Sequence, residues 1–389
     1  MAKLGDICFQ ITDGSHNPPA GIENSKHLML SSKNINDDEI TTTAPRFLTD
    51  EQFDIENKRT NVLSGDLLMT IVGTVGRVAV VPEMLAGICL QRSVAVIKPN
   101  PTIINNRYLM YQLQSMRKFL ESEARGVAQK GIYLKQVGDL SVITPPLDEQ
   151  YRVVDTLDHI SGLIHIYQQQ LTKLDELIKA RFVEVFGDML LNSLEWPEKS
   201  LESLADIVSG ITKGRKTTET ELIEVPYMAV SNVKSGYIDW TTVKTILATK
   251  QEIEQYRLMP DDILMTEGGD PDKVGRGAII KNPLKDSIHQ NHIFRVRLDK
   301  SELLPAYFAE YLQHQKAKRY FLGCAKQTTG IASINMRQLR ALPVLIPPLP
   351  LQNQFAAFVA EVDKSKADVQ KALDQTQLLF DSLMQQYFG

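Results

Sequence analysis

Residues 145–187 read PPLDEQYRVVDTLDHISGLIHIYQQQLTKLDELIKARFVEVFG, and residues 347–389 read PPLPLQNQFAAFVAEVDKSKADVQKALDQTQLLFDSLMQQYFG. Both stretches open on Pro-Pro-Leu and close on Phe-Gly. Apolar residues recur along each at alternating steps of three and four, which predicts two helices of about 40 residues, each roughly 60 Å long. Two such helices set the architecture of everything that lies between them.

The recurring apolar positions form a seam along each helix. The first seam comprises Leu157, Ile160, Ile164, Tyr167, Leu171, Leu174 and Ile178, and the second comprises Val359, Val362, Val369, Leu373, Phe380 and Leu383. If the segment 188–345 is compact, it brings the end of the first helix close to the start of the second. We therefore expect two long antiparallel coiled-coil helices. The alternative is that each helix packs only on its own globular part.

The segments before the two helices repeat one another. The spacing is 196 residues between Asp66 and Asp262, and it grows to 202 residues between Gln150 and Gln352, as loop insertions would produce. Matching landmarks are Leu68-Met69-Thr70 with Leu264-Met265-Thr266, Val75-Gly76-Arg77 with Val274-Gly275-Arg276, and Gly131-Ile132 with Gly330-Ile331. The pattern predicts a pseudo-two-fold internal repeat divided as 1–145, 146–187, 188–345 and 346–389.

The two globular segments have the pattern of mixed α/β domains. Short apolar strand candidates lie at 67–72, 78–81 and 94–97 in the first copy and at 263–266, 277–280 and 293–296 in the second. Helix-like stretches follow at 108–124 and 306–321. We expect a small sheet or barrel with helices in each copy.

The composition is that of a soluble globular protein, with 43% hydrophobic and 23% charged residues. No stretch reaches the roughly 18 apolar residues of a membrane span, and the amino terminus lacks a signal-peptide core, so we expect a cytoplasmic protein. The net charge is −4. The two predicted helices carry −5 of this charge and leave +1 for the remainder. A local basic face is therefore compatible with the sequence.

Signatures of catalysis are missing from the sequence. Asn17-Pro18-Pro19-Ala20 differs from the motif of adenine amino-group methyltransferases because Ala20 replaces the aromatic residue that stacks on a flipped base. No dinucleotide-type glycine turn, HExxH zinc motif or nucleophile elbow accompanies it. We expect no catalytic residue, no bound metal and no cofactor in this chain.

The loops carry side chains that suit nucleic acid, because Asn and Gln can bond adenine while Arg and Lys can bond guanine or phosphate. They recur at equivalent points of both copies, with residues 13–17 matched to residues 212–216, and this recurrence is the stronger signal. The predicted DNA-binding residues of the first copy are Ser15, His16, Asn17, Ser32, Lys33, Asn34, Arg77, Gln91, Arg92, Gln129 and Lys130. Those of the second copy are Lys213, Arg215, Lys216, Ser231, Asn232, Arg276, Gln290, Asn291, His292, Gln327, Thr328 and Thr329.

Over essentially its whole length the chain resembles the DNA-specificity (S) subunit of type I restriction-modification systems. The resemblance rests on the recurring Asp-Leu/Ile-Leu-Met-Thr strands with their Val-Gly-Arg turns, and on the two Pro-Pro-Leu helix starts. Asp13-Gly14-Ser15-His16 and Thr328-Thr329-Gly330-Ile331 add to it.

The resemblance implies two target recognition domains, 1–145 and 188–345, that each read one half of an asymmetric, bipartite DNA sequence. It implies two methyltransferase (M) subunits as partners, which bring S-adenosylmethionine, and two ATP- and magnesium-dependent restriction (R) subunits in the full complex. The chain itself would be a non-catalytic subunit for phage defence.

Three other functions remain open at this stage. A stand-alone DNA-binding regulator with duplicated domains would bind DNA tightly without a partner. A coiled-coil scaffold would show no salt-dependent binding to DNA. A methyltransferase would retain S-adenosylmethionine on the isolated chain.

Overall fold

The computed structural model describes residues 1–124, 130–215, 221–270, 273–328 and 331–389. They form two compact units, one made of Met1–Gln168 with Lys371–Gly389 and the other of Gln169–Gln370. The unit boundaries fall inside the two long helices, so each unit combines one globular part with a portion of both helices.

The first unit contains strands β1 to β11 and helices α1 to α4, and α5 begins in it. The strands are β1 (Ala2–Lys3), β2 (Cys8–Asp13), β3 (His27–Leu30), β4 (Ile35–Asn36), β5 (Glu39–Ile40), β6 (Arg46–Leu48), β7 (Leu67–Thr70), β8 (Val78–Val80), β9 (Cys89–Leu90), β10 (Val94–Pro99) and β11 (Ser141–Val142). The helices are α1 (Asp50–Thr60), α2 (Asn106–Ser115), α3 (Arg117–Glu123), α4 (Leu134–Gly138) and α5 (Leu147–Phe186).

The second unit follows a similar order of strands and helices. Its strands are β12 (Glu198–Ser200), β13 (Ala205–Ser209), β14 (Ile223–Met228), β15 (Lys244–Ala248), β16 (Ile263–Thr266), β17 (Gly268–Gly269), β18 (Gly277–Ile279), β19 (Ile288–His289), β20 (Ile293–Leu298), β21 (Lys326–Thr328), β22 (Ile331–Ser333) and β23 (Pro343–Leu345). Its helices are α6 (Lys250–Tyr256), α7 (Pro305–Gln313), α8 (Gln315–Cys324), α9 (Met336–Arg340) and α10 (Leu349–Phe388).

The sheets of the two units have the same topology. An antiparallel four-stranded sheet is ordered β2-β10-β7-β8 in the first unit and β13-β20-β16-β18 in the second. A three-stranded sheet is ordered β6-β3-β9 and β15-β14-β19. The mixed α/β class and the internal repeat are therefore confirmed, and each copy contains several small sheets.

The recurring Leu-Met-Thr strands lie at the centre of each unit. All four residues of β7 are buried. Side chains alternate between the two faces of a strand, so Leu67 and Met69 pack into the core that also holds α2 and α5, while Leu68 packs into the core beneath the second sheet. Strand β16 divides its side chains in the same way. A strand buried on both faces explains why this stretch is the most constant part of the repeat.

The structure corrects the alignment of the first recognition loop. A Cβ atom at Gly14 would lie 2.1 Å from the carbonyl oxygen of Leu90, and one at Gly210 would lie 1.9 Å from that of His289. Only glycine fits either position, so the two glycines are equivalent. The match of Asp13–Asn17 with 212–216 is wrong by three residues.

The later alignment of Gly131-Ile132 with Gly330-Ile331 is also wrong by three residues. The amide of Ile132 donates to the carbonyl of Ile71 at 2.9 Å, and the amide of Ile334 donates to that of Glu267 at 2.8 Å. Ile132 is thus equivalent to Ile334. The second unit contains an additional hairpin, β21 and β22, which pairs with β17.

A buried glutamine fixes the start of each long helix. The Gln150 carboxamide accepts from the amide of Asn105 at 2.7 Å and donates to the carbonyls of Ile103 and Pro145 at 3.0 and 2.8 Å. The side chains of Gln150 and of Gln352, its counterpart in the second unit, are both fully buried. In the second unit, Gln352 accepts from Leu304 at 2.8 Å and donates to Glu302 and Pro347 at 3.0 and 2.7 Å. The same three-bond clamp therefore ties the long helix to the helix that follows the sheet.

The predicted seams are the least exposed stripes of α5 and α10. Leu157, Ile160, Ile178 and Val362 are buried, and the other seam residues are partly buried. The residues that lie between seam positions are mostly exposed. The apolar seams that the sequence predicts thus correspond to a less exposed side of each helix.

Within the second unit the two helices run antiparallel. The rings of Phe182 and Phe355 lie 5.5 Å apart, and the guanidinium of Arg181 lies 5.7 Å from the ring of Phe358. Lys366, which interrupts the apolar seam of α10, forms a salt bridge with Asp175 of α5. From one of these contacts to the next, the residue number decreases along α5 and increases along α10, so the two helices run in opposite directions.

Within the first unit, the last part of α10 packs against α2. The ring of Phe380 lies 6.0 Å from that of Tyr111, and the ring of Phe388 lies 5.2 Å from that of Tyr108. Leu157 of α5 belongs to the same apolar cluster. Each long helix thus contributes to the cores of both units, which excludes the alternative that it packs only on its own globular part. Among the described residues, no helix is apolar over a length sufficient to cross a membrane.

Replacing either clamp should destabilise the chain. Gln150→Ala removes three buried hydrogen bonds and leaves backbone groups unpaired, so the free energy of unfolding should fall by about 3 kcal/mol. Urea denaturation monitored by circular dichroism measures this change. Gln170→Ala, at an exposed position of α5, is the matched control and should shift unfolding by less than about 0.5 kcal/mol. Equal stability of Gln150→Ala and the control would contradict the clamp.

Candidate nucleic-acid interface

The first unit gathers most of its predicted DNA-binding residues around one cleft. Strand β2 ends at Asp13, and after Gly14 a parallel bridge joins Ser15 to Gln91. The cleft has a volume of about 250 Å³. The predicted residues that line it are Ser15, His16, Ser32, Lys33, Gln91 and Arg92. Asn17 directly follows His16 and is exposed.

Buried charge orients the histidine at the rim of this cleft. Asp13 is buried, and its carboxylate lies 2.8 Å from the Nε2 atom of His16 while it also pairs with Arg59. An acid with two partners holds the imidazole in one orientation. His16 remains half-exposed, so its ring can still reach a ligand in the cleft.

Arg77 and Lys130 lie around a second cavity of the first unit, of about 380 Å³. Gly73 lines both cavities. Its amide donates to the carbonyl of Lys130 at 3.0 Å. The turn that follows β7 therefore connects the two cavities.

The second unit has other side chains at the equivalent loop junction, around Ile211 and Gln290, which we call the second cleft. A parallel bridge joins Ile211 to Gln290, as Ser15 is joined to Gln91 in the first unit. Gln290 follows β19, and the predicted Asn291 and His292 come next. The Asn291 Nδ2 atom lies 3.3 Å from His292 Nε2. Lys213 and Ser231 are exposed in neighbouring loops, and Arg276 lines a cavity at the Val-Gly-Arg turn.

Two of the predicted DNA-binding residues are structural in this fold. Asn34 and Asn232 are buried. The side chain of Asn34 accepts from the amide of Ser31 at 3.1 Å and donates to the carbonyl of Thr43 at 3.0 Å. Asn232 makes the equivalent bonds at 2.9 Å. Both ends of each side-chain amide are bonded to backbone, so these residues stabilise the turn, and their contact with DNA stays a prediction.

Arg215 is also occupied within the fold. Its guanidinium forms an ion pair with Glu252, with 2.6 Å between Nε and Oε1, and it donates to the carbonyl of Leu247 at 3.2 Å. The side chain of Arg215 is only 20% exposed. This pair lowers the pKa of Glu252 and fixes α6 to the loop. Arg215 thus has a structural role in the fold, and its contact with DNA stays a prediction.

Several predicted residues fall where the structure makes no statement. Gln129, Lys216 and Thr329 lie outside the described residues. For Gln327 and Thr328 only the backbone is described, and it pairs with β22. Their contact with DNA stays a prediction, as it does for the residues that line the clefts.

One acidic residue of the second cleft was missed by sequence reasoning. Glu267 directly follows β16, and its carboxylate lies 2.5 Å from His292 Nδ1. Its amide donates to the carbonyl of His292 at 3.0 Å, which is the bond that Ile71 makes with Ser93 at 2.9 Å in the first unit. The sequence signal that could have identified Glu267 is an acidic residue at the position where the first copy has Ile71, which is buried.

The loop of the second cleft rests on a buried histidine. His289 is 0% exposed, and its Nδ1 atom lies 3.0 Å from the carbonyl oxygen of Ile293. Burial lowers the pKa of His289 to about 4. The ring is therefore neutral at pH 7. Among the described residues, no group of three or more His, Cys, Asp or Glu side chains could hold a metal ion.

Comparison with known proteins identifies the family to which the chain belongs. The sequence matches the family described as "Type I restriction modification DNA specificity domain" at residues 23–176 and again at 193–376. The chain belongs to this family and carries two copies of its domain.

Named relatives and a solved structure agree with this assignment. The EcoKI specificity subunit of Escherichia coli K12 is 21% identical over 310 residues, covering 75% of this chain and 67% of that protein. The EcoBI specificity subunit of Escherichia coli is 26% identical over 210 residues, covering 52% of this chain and 42% of that protein. The S subunit of a type I restriction-modification system from M. genitalium is similar in fold, with a TM-score of 0.57 and 14% identity over 98% of this chain and 94% of that one. The chain thus spans less than half of EcoBI.

The pKa of His289 predicts a dependence of stability on pH. An unfolded histidine has a pKa of about 6.5, so the unfolded chain binds a proton at a pH where the folded chain does not. The free energy of unfolding should therefore fall as the pH decreases from 6.5 to 4, by about 3 kcal/mol from this residue.

Urea denaturation at pH 7, 5.5 and 4.5 tests this dependence. His289→Gln should lose less stability on acidification than the wild-type chain, because it lacks the group that takes up the proton. His159→Gln, at an exposed position of α5, should behave as the wild type. Parallel curves for His289→Gln and the wild type would show that His289 does not carry the effect.

Proposed function

We propose that this chain is the DNA-recognition subunit of a type I restriction-modification complex and reads a bipartite sequence, one half with each unit. One observation carries the proposal: the two units share a sheet topology and a cleft position, but the side chains in the two clefts differ. A shared framework with different polar loops suits two readers of different sequences.

The differences between the clefts concern groups that can recognise bases. The first cleft has Ser15, His16 and Arg92 where the second has Ile211, Thr212 and Asn291. The second also has Glu267 and the β21–β22 hairpin. Arg favours guanine, whereas Asn favours adenine and Glu favours cytosine. The proposed half-sites therefore differ in sequence, and the recognised site is asymmetric.

The long helices suit a role in spacing and assembly. Each continues from one unit into the other, so we propose that they set the gap between the two half-sites. Several apolar side chains lie on their outward faces: Leu163, Ile166, Leu177, Val183, Leu378 and Leu379, which are 44 to 71% exposed. Such residues are suited to helix–helix contacts with the M subunits. In this proposal the M subunits bring S-adenosylmethionine, and the R subunits bring the ATP and magnesium chemistry.

The test is to co-express the chain with its M subunit and map methylated adenines in host DNA at base resolution. We expect a two-part motif with a fixed gap, present only when this chain is present. An ungapped motif would show that one unit reads alone. A stable, active complex without new methylation would contradict the proposal and favour a regulator or scaffold.

The carboxylate of Glu267 provides a sharper prediction. A phosphate would be repelled by this group, so in a DNA-facing cleft it should accept a hydrogen bond from a base amino group, as found on cytosine or adenine. Glu267→Gln can also donate. The variant should relax recognition at one position of one half-site, where discrimination should fall by about 1–3 kcal/mol.

Methylation mapping of the variant complex measures this effect directly. Glu361→Gln, at an exposed position of α10, is the matched loss of one carboxylate and should leave the motif unchanged. An unchanged motif in Glu267→Gln would remove Glu267 from base recognition. Changes in both half-sites would mean that its role is structural.

A further inference from the structure

The Val-Gly-Arg turn of each unit lies beside a cavity whose charged lining residues are mostly basic. In the second unit the cavity has a volume of about 320 Å³. Its charged lining residues are Lys234, Lys273, Arg276 and Lys318. All four are basic, and no carboxylate is among the described residues that line it.

The first unit has a cavity at the equivalent place. It is lined by Arg77, Arg117 and Lys130, with Glu121 as the one carboxylate among its described lining residues. Arg117 lies over the turn, because a Cβ at Gly76 would be 3.4 Å from its Cα atom. In the second unit, Gly275 lies in the same way against Phe321 of α8. Since Leu120 contacts Gly76 as Phe321 contacts Gly275, Arg117 and Lys318 are equivalent.

The fold therefore places two cations at one point of both units, although the surrounding sequence differs. One is the arginine that ends the turn, and the other comes from the helix after α2 or α7. In the first unit, Arg77 is held by Asn36, at 3.1 Å from Nη1 to Oδ1, and Arg117 forms a salt bridge with Asp37, so a phosphate would have to share Arg117 with this carboxylate. Of the four basic residues that line the cavity of the second unit, Lys234 forms a salt bridge with Asp239 and Lys273 forms one with Asp270, whereas Arg276 and Lys318 form no salt bridge with a described residue. Two neighbouring cations without a salt bridge can bind an anion.

The charge of the lining favours a phosphate over a base as the ligand. Arg and Lys side chains can each bond guanine, but guanine is neutral, whereas several clustered cations match a group that carries a full negative charge. A phosphodiester presents two acceptor oxygens and one negative charge. The neighbouring recognition cleft shares Gly73 with the cavity of the first unit. A strand whose bases enter the cleft would have its backbone near the turn.

We infer that the cavity at each Val-Gly-Arg turn binds a phosphate of the DNA backbone, held by Arg77 and Arg117 in the first unit and by Arg276 and Lys318 in the second. The inference rests on the proposed function. It assigns these four residues to affinity and register, while the residues of the clefts provide the sequence preference. With no carboxylate among its described lining residues, the cavity of the second unit should bind more tightly.

The experiment uses the full chain assembled with its M subunit. The variants are Lys318→Gln and Arg117→Gln, and Lys285→Gln is the matched control, because Lys285 is exposed and lines neither cavity. Binding to a duplex with the recognised sequence and to duplexes with altered half-sites is measured from 50 to 200 mM salt.

Each cavity variant should weaken binding severalfold to every duplex. The plot of log affinity against log salt should become shallower by about 0.9 for each lost phosphate contact. The methylated motif should stay the same. In a scan of duplexes with single methylphosphonates, one neutralised position should weaken the wild type but not Lys318→Gln.

Three outcomes would overturn the inference while leaving the proposed function intact. An unchanged salt slope would show that no phosphate contact was lost, and an altered motif would show that the residue reads bases. If DNA binding were unchanged but Lys318→Gln abolished thermal stabilisation by inorganic phosphate, the cavity would hold a free anion. Failure of the wild-type complex to bind its sequence would instead contradict the proposed function.

Discussion

The clamps of Gln150 and Gln352 are the interactions on which the rest of the structure depends. Each carboxamide joins three backbone segments: the Pro-Pro turn, the loop before α2 or α7, and the first turn of the long helix. Both are fully buried, so water cannot replace the lost bonds. Because the helix after the sheet packs on the sheet, fixing it to the long helix also fixes the sheet to the long helix.

A rigid junction matters for a protein whose proposed task is to hold two readers in register. Base readout requires positioning to within a fraction of an ångström, and a loose joint would lose that precision at both clefts. Single buried residues also fix the conformation of the recognition loops. Gly14 and Gly210 allow two chain segments to cross closely, and Asn34 and Asn232 close a tight turn. These residues are shared because they build the loops, whereas residues such as Glu267 differ between the copies.

The division of labour among the charged residues follows from their surroundings. Arg215 has a partner in Glu252, and Asp13 holds both His16 and Arg59. In contrast, Arg276 and Lys318 face a cavity without such partners among the described residues. The net charge of −4 for the whole chain conceals this difference between paired and unpaired cations. What decides the anion preference of a surface is which cations the fold leaves unneutralised.

The sequence by itself determined the repeat, the two long helices and the strands buried on both faces. These follow from periodic burial, which leaves a regular pattern of apolar residues in the chain. It also located the clefts, since Ser15, Gln91 and Gln290 do lie where the loops converge. The family resemblance followed from the same recurring residues.

Only the tertiary structure decided which polar residues are available to a ligand. Asn34, Asn232 and Arg215 have the chemistry of DNA-binding side chains, but their partners come from distant parts of the chain, which no local pattern encodes. The register of the repeat was misjudged by three residues at Gly14 for a related reason. The glycine is required by a carbonyl that is 76 residues away in sequence, at Leu90. Close approaches of this kind exist only once the chain has folded.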